Sequence, residues 1–336
     1  MTASGDLLRQ IFRSYAKRDD GAFRAAAEEI IREERMKNHR MLADDLERIL
    51  LNGNGTNGQR RLTGTAYDLP RDKERGFPLI DVAEHDLSWD RIIAPTKTLN
   101  ALKQFTEEHH KSDILASSGL KPTQRILFYG PPGCGKTLAA KVMAGVLRLP
   151  LVSVRFDAVV SSYLGETAAN LRRVFDFIGR GHWVVLFDEF DAIGKDRDNP
   201  FEHGELKRVV NSLLQLMDAF TGDSILIAAT NHEQLLDNAI WRRFEAVVNL
   251  PLPKLQDRYL LLSLFSRGFD TSALALEQIA KRIHGATGSD IERIIIESAR
   301  KAVLEGRTQI LKSDIEPSLS AFKDRLALSS SVSIAN

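Results

Sequence analysis

Residues 126–137 read ILFYGPPGCGKT, and the organisation of the chain follows from them outward. Ile126 to Tyr129 form a short apolar run of strand character. Gly130 to Thr137 then match the pattern GxxxxGK[ST], and a helical run, LAAKVMAGVL, comes next. A strand before and a helix after are the setting in which this pattern cradles phosphate. Its glycines let backbone N–H groups close around phosphate oxygens. Lys136 can reach the β- and γ-phosphates, and Thr137 can offer a hydroxyl to Mg²⁺. The expected cradle is Gly130, Pro131, Pro132, Gly133, Cys134, Gly135, Lys136, Thr137 and Leu138. Cys134, the single cysteine, sits at a variable position of the pattern. It serves as a small filler or as a redox group, and the first is favoured.

Moving outward, apolar runs recur on both sides: LVSV at 151–154, WVVLF at 183–187, SILIAAT at 224–230 and AVVNL at 246–250. Helical patterns separate them. Continuous apolar strands alternating with helices predict a parallel sheet covered on both faces. The run VVLFDEFD, residues 184–191, delivers acids to the C-terminal end of a buried strand, where ligands of such sheets collect. Asp188 is placed to orient Mg²⁺ or its water shell, and Glu189 to act as general base on a water. Asp191 reads as a cap or a supporting group. Asn231, after SILIAAT, can hold that water or sense the γ-phosphate; alone, it would read as a turn residue.

The chain has 336 residues, 43% hydrophobic and 27% charged, with a net charge of +1. These values predict a packed globular protein of about two domains. Near-neutral charge argues against a charge-driven nucleic-acid binder. One cysteine allows no disulfide framework. No apolar stretch is long enough to span a bilayer, and the N-terminus shows no secretory pattern, so a cytoplasmic location is expected. Residues 1–50 have helical periodicity and form a helical N-terminal module. The Asn- and Gly-rich stretch LNGNGTNGQRRLTG opens a linker, 51–84. A large α/β domain is expected at 85–253, a small all-helical domain at 254–327 and a flexible tail at 328–336. His109 and His110 are helix neighbours that do not share a face, and Mg²⁺ is the only metal assigned.

The motifs GPPGCGKT, SSYLGET, VVLFDEFDAI, AATN, AIWRRF and GATGSDI occur in that order. Together they resemble the AAA ATPases, within the wider AAA+ group, from about Trp89 to the helices after Asp290. The adjacent arginines and the GSD form of the last motif are most similar to the spastin, katanin and vacuolar-sorting branch. The chain as a whole resembles stand-alone bacterial AAA proteins with a single ATPase ring. The resemblance implies a P-loop NTPase fold with a helical lid, and hydrolysis of ATP with Mg²⁺. It implies that Arg242 and Arg243 reach the γ-phosphate bound by a neighbouring subunit, where guanidinium would neutralise developing charge. A solvated surface pair is the bland alternative. Trp241 departs from the arginine common in that branch. The resemblance also makes Asn231 the first sensor and places Gly288 and Ser289 against base and ribose, with no second-sensor arginine. Ile92 and Ile93, in WDRII, border adenine or serve as plain core.

The same resemblance implies a homo-oligomer, a hexamer, whose pore loop grips protein substrate with Tyr163 and Leu164. The alternative is a Tyr163 packed under its own loop. Asp196 to Glu205 is expected to be a second, flexible pore loop. The N-terminal helices bind a substrate or adaptor, or cap the ring. Three functions stay in view: an ATP-driven protein remodeller, in one version feeding a partner protease; an ATP-controlled assembly switch that regulates a partner without threading; and a nucleic-acid remodeller, disfavoured by charge. A small-molecule kinase is disfavoured because Glu189, Asn231 and the arginine pair suit hydrolysis.

Overall fold

The computed structural model describes residues 25–32, 60–61, 69–73, 76–159, 164–190, 212–232, 234 and 238–334. The chain divides into two units, Met1–Asn57 and Gly58–Asn336. In the first, residues 25–32 (AAAEEIIR) are helical, with Ala26 and Ile31 buried. Alanine and glutamate favour that conformation, and an exposed Glu29–Arg32 ion pair at 2.6 Å adds a one-turn contact. The rest of the expected N-terminal helical module lies outside the described residues.

In the second unit, seven described strands form one sheet: β1 (Arg60–Arg61), β2 (Ile80–Glu84), β3 (Arg125–Tyr129), β4 (Leu151–Val154), β5 (Val184–Phe187), β6 (Ile225–Thr230) and β7 (Ala246–Asn249). Their spatial order is β1-β2-β4-β5-β6-β3-β7. The five expected strands, β3 to β7, pair in parallel. Every residue of β5 and β6 is buried, which explains their unbroken apolar sequence. Side chains alternate between two cores. Leu127, Val185 and Phe187 face one core with Phe175, Leu213 and Met217. Ile126, Phe128, Val184 and Leu186 face the other with Leu102, Val142 and Met143. Each fully buried side chain of this size contributes about 1.5–3 kcal/mol.

The sheet is mixed rather than purely parallel. β2 pairs antiparallel with β4, Ile80 opposite Val154, and β1 pairs antiparallel with β2. Residues 80–84 were expected inside a linker. They are strand instead, because Leu79 and Ile80 are fully buried in the first core.

Strand order and register build the site. Tyr129 is opposite Thr230, and Phe187 is opposite Ala228. Residues that follow β3, β5 and β6 therefore leave three neighbouring strands at the same end of the sheet. This is the crevice where ligands of open α/β sheets bind.

Beyond β7, the helices Leu255–Phe265, Leu276–Arg282, Gly288–Leu304 and Lys312–Ile334 enclose a third core around Leu262, Ile291, Ile294 and Phe322. Thr287 fixes the start of the third of these helices. Its hydroxyl accepts from the Asp290 amide at 3.2 Å, while the Asp290 carboxylate accepts from the Thr287 amide at 3.1 Å. The last helix contains Pro317, which cannot donate to the Ser313 carbonyl, and Lys301 Nζ donates there at 3.2 Å. That helix continues to Ile334, so residues 328–334 are helical where a flexible tail was expected. Among the described residues, no helix is long and apolar enough to cross a membrane.

Candidate nucleotide site

The phosphate loop begins where β3 ends. Gly130 has φ +139°, and a Cβ there would lie 2.3 Å from the Leu250 carbonyl oxygen. Only glycine lets the loop leave the strand so close to the Leu250 backbone, just past β7. Gly135, with φ +91°, caps the helix Lys136–Leu147, and a Cβ there meets nothing within 4 Å. We therefore predict different costs. Gly130→Ala should lose about 2–4 kcal/mol of stability, through strain and overlap together. Gly135→Ala should lose about 1–2 kcal/mol, through its dihedral alone. Thermal unfolding of the two variants checks this; a Gly130→Ala protein that melts with wild type contradicts it.

Lys136 is 6% exposed. Its ammonium donates to the carbonyls of Gly130, at 2.7 Å, and Pro131, at 3.0 Å. A buried ammonium needs such partners, and these hold it inside the loop. Thr137 Oγ1 donates to Asp188 Oδ2 at 2.6 Å, joining the loop to the end of β5. Asp188 Oδ1 accepts from the Glu189 amide at 3.0 Å. Glu189 is exposed and has φ +52°, a left-handed conformation that costs a non-glycine residue about 1–2 kcal/mol. Asn231 follows β6, where the His232 amide donates to the Thr230 hydroxyl at 3.0 Å and tightens the turn.

The helical domain roofs the loop. The Ser289 amide donates to the Gly133 carbonyl at 3.1 Å. A Cβ on Gly133 would lie 2.8 Å from Thr287 Oγ1, and one on Gly288 would lie 3.2 Å from the Gly133 carbonyl oxygen. Glycine at both positions lets the two backbones meet.

Between these walls lies a cleft of about 760 Å³. Lys136, Thr137, Asp188, Glu189 and Asn231 line it, together with Pro132, Gly133, Cys134, Gly135, Leu138, Gly288 and Ser289. Its apolar wall is Leu87, Ile92 and Ile93 on one side, with Leu261, Leu264 and Phe265 of the helical domain on the other. Ile92 also belongs to the second core, and Ile93 packs on the third, so the expected core role is seen in residues that also line the cleft. Burial pushes the Cys134 thiol up to about 11. It stays protonated at neutral pH and is a poor nucleophile, in keeping with a filler. The cleft residues Lys141, Glu292, Leu261, Leu264 and Phe265 were not anticipated. Lys141 had a readable signal, since it lies one turn beyond Thr137 on the same helix.

Arg242 and Arg243 do not line this cleft. Arg242 is exposed, whereas Arg243 is partly buried and forms an ion pair with Asp218. Tyr163, Asp191 and residues 196–205 lie outside the described residues. Leu164 opens the helix Leu164–Ile178, but its side chain lies outside the description.

The cleft suits a nucleoside triphosphate. A buried lysine and positive-φ glycines line its loop, a carboxylate–hydroxyl pair of hard oxygen ligands stands beside it, and an apolar wall closes one side. This defines a P-loop nucleotide-binding domain with a helical lid. Comparison with known proteins makes the class specific. The family described as ATPase family associated with various cellular activities (AAA) matches residues 126–252, and the AAA+ lid domain matches residues 273–317. An uncharacterized AAA family ATPase, y4kL, of Sinorhizobium fredii is 36% identical over 322 residues, covering 94% of each chain. The proteasome-activating nucleotidase of Pyrococcus horikoshii is 32% identical over 247 residues, 71% of this chain and 61% of that protein. The ATP-dependent zinc metalloprotease FtsH of Clostridium perfringens is 32% identical over 252 residues, 73% of this chain and 34% of that protein. The chain thus spans less than two thirds of the nucleotidase and about a third of the metalloprotease. The chain belongs to the AAA ATPase family and is an ATP-hydrolysing enzyme.

Proposed function

We propose that this ATPase is a ring-forming remodeller of protein substrates, in which residues 85–253 bind nucleotide and residues 254–327 form the lid. Support comes from similarity over 71% and 73% of this chain to two proteins whose names join nucleotide use to proteolysis. One is proteasome-activating, and the other is itself an ATP-dependent protease. A partner protease is therefore the most specific version of the reading, and a hexamer the assembly it implies.

In the proposed mechanism, Lys136 and the loop amides bind the phosphates, and the apolar wall takes the base. Thr137 and Asp188 would hold Mg²⁺. That ion supplies neutralisation of charge on the phosphate oxygens. Glu189 accepts a proton from the attacking water, and Asn231 holds that water in line. The arginine pair stands outside its own cleft, which supports service to a neighbouring subunit. Protein substrate is gripped by Tyr163 and Leu164.

The test compares ATPase activity with unfolding of a destabilised fluorescent protein. Lys136→Ala should lose both activities. Tyr163→Ala should lose unfolding at least about tenfold more than it loses ATPase, because in this reading its ring supplies grip rather than chemistry. Unfolding at the wild-type rate by Tyr163→Ala would favour the assembly switch instead.

A further inference from the structure

Glu292 lines the nucleotide cleft, yet it belongs neither to the phosphate loop nor to the hydrolytic groups. It is exposed, on the lid helix Gly288–Leu304, and makes no hydrogen bond or ion pair among the described residues. Its place follows from how two helices leave the phosphate loop. The helix Lys136–Leu147 starts from the loop itself. The lid helix starts against it, where the Ser289 amide donates to the Gly133 carbonyl at 3.1 Å. One turn beyond Ser289 stands Glu292, and one turn beyond Thr137, on the other helix, stands Lys141. Such a step moves roughly 5 Å along a helix axis. With phosphates in the loop and a base on the apolar wall, the part of the ligand one turn from the loop is the sugar.

We propose that Glu292 holds the ribose of the bound nucleotide and makes the enzyme selective for ribonucleotides. This rests on the reading that the loop takes the phosphates and the apolar wall takes the base. An ionised carboxylate only accepts hydrogen bonds, and the two ribose hydroxyls are donors to it. Its two oxygens can take one each. Bonds of this charge-assisted kind are among the stronger ones. Acidic side chains bind ribose hydroxyls in the same way in dinucleotide-binding folds. A carboxylate beside a triphosphate also meets like charge. Lys141 offsets that charge from the large domain. It forms no ion pair with Glu292 among the described residues, so the carboxylate oxygens remain open to the sugar.

Equilibrium binding of ATP and of 2′,3′-dideoxy-ATP, which lacks both hydroxyls, tests this in the full chain. Wild type should bind ATP at least about tenfold more tightly than the dideoxy nucleotide. In Glu292→Ala the ratio of the two affinities should fall below about twofold. Glu292→Gln keeps one accepting oxygen without the charge, so its ratio should lie between these values. A general loss of packing would lower both affinities and leave the ratio alone. The assignment is overturned if wild type binds the two nucleotides equally, or if Glu292→Ala keeps the wild-type ratio. Phe265→Ala separates this claim from the placement of the base. It should weaken both nucleotides alike. If it does so while Glu292→Ala keeps the wild-type ratio, only the ribose role falls. If Phe265→Ala leaves both affinities unchanged, the base does not lie on that wall, and the placement beneath the proposal falls with it.

Discussion

Glu189→Gln should lower kcat for ATP hydrolysis by about 10²- to 10⁴-fold while ATP still binds, the usual range for loss of a positioned general base. The substitution keeps side-chain size and backbone. The amide that donates to Asp188 Oδ1 is therefore retained, as is the left-handed turn that places residue 189 at the cleft. Only the capacity to accept a proton from water is lost. Lys136, Thr137 and Asp188 are untouched, so affinity for ATP should change by less than about threefold. Nucleotide binding measured beside single-turnover phosphate release checks both parts. Turnover close to wild type would remove Glu189 as the base and move attention to another cleft residue.

Arg242→Ala should be costlier still, about 10³- to 10⁵-fold in kcat where a guanidinium neutralises the transferred phosphoryl group. The cleft of the same subunit would remain whole, because Arg242 is not part of its wall. ATP affinity should therefore persist in the variant. An Arg242→Ala subunit keeps its base, and a Glu189→Gln subunit keeps its arginine. Mixed rings of these two inactive proteins should recover activity at roughly one interface in four by random placement. An Arg242→Ala protein as active as wild type would return the arginine to the class of ordinary surface charges.

The core of the site was legible because its chemistry requires particular residues at fixed spacing. A glycine at 130 is forced by the Leu250 backbone, and β5 and β6 read as strands because both of their faces are covered. β2 was hidden. Of its five residues only Ile80 is buried, and its partner Val154 lies far along the chain. A pattern that short carries little periodicity. The lid wall was hidden for the opposite reason. Leu261, Leu264 and Phe265 lie in YLLLSLF, which is apolar on every face, so no stripe marks the side that meets the cleft. The end of the last helix, residues 328–334, was missed because LSSSVSI is rich in serine and has weak helix propensity. The tie between Arg243 and Asp218 joins separate elements and has no local signature. Asn231 occupies an intermediate position. Its neighbourhood becomes specific only through the register that sets Thr230 beside Tyr129.

The central claim is that active sites are completed by a neighbouring copy of the chain. Its most direct test is the specific ATPase activity measured across protein concentration, for wild type and for Arg242→Ala combined with Arg243→Ala. Wild-type specific activity should rise with concentration as subunits assemble, while the double variant binds ATP yet stays flat and inactive. Constant specific activity down to concentrations that hold only monomers, with the variant matching wild type, would contradict it and make a monomeric nucleotide switch the better description.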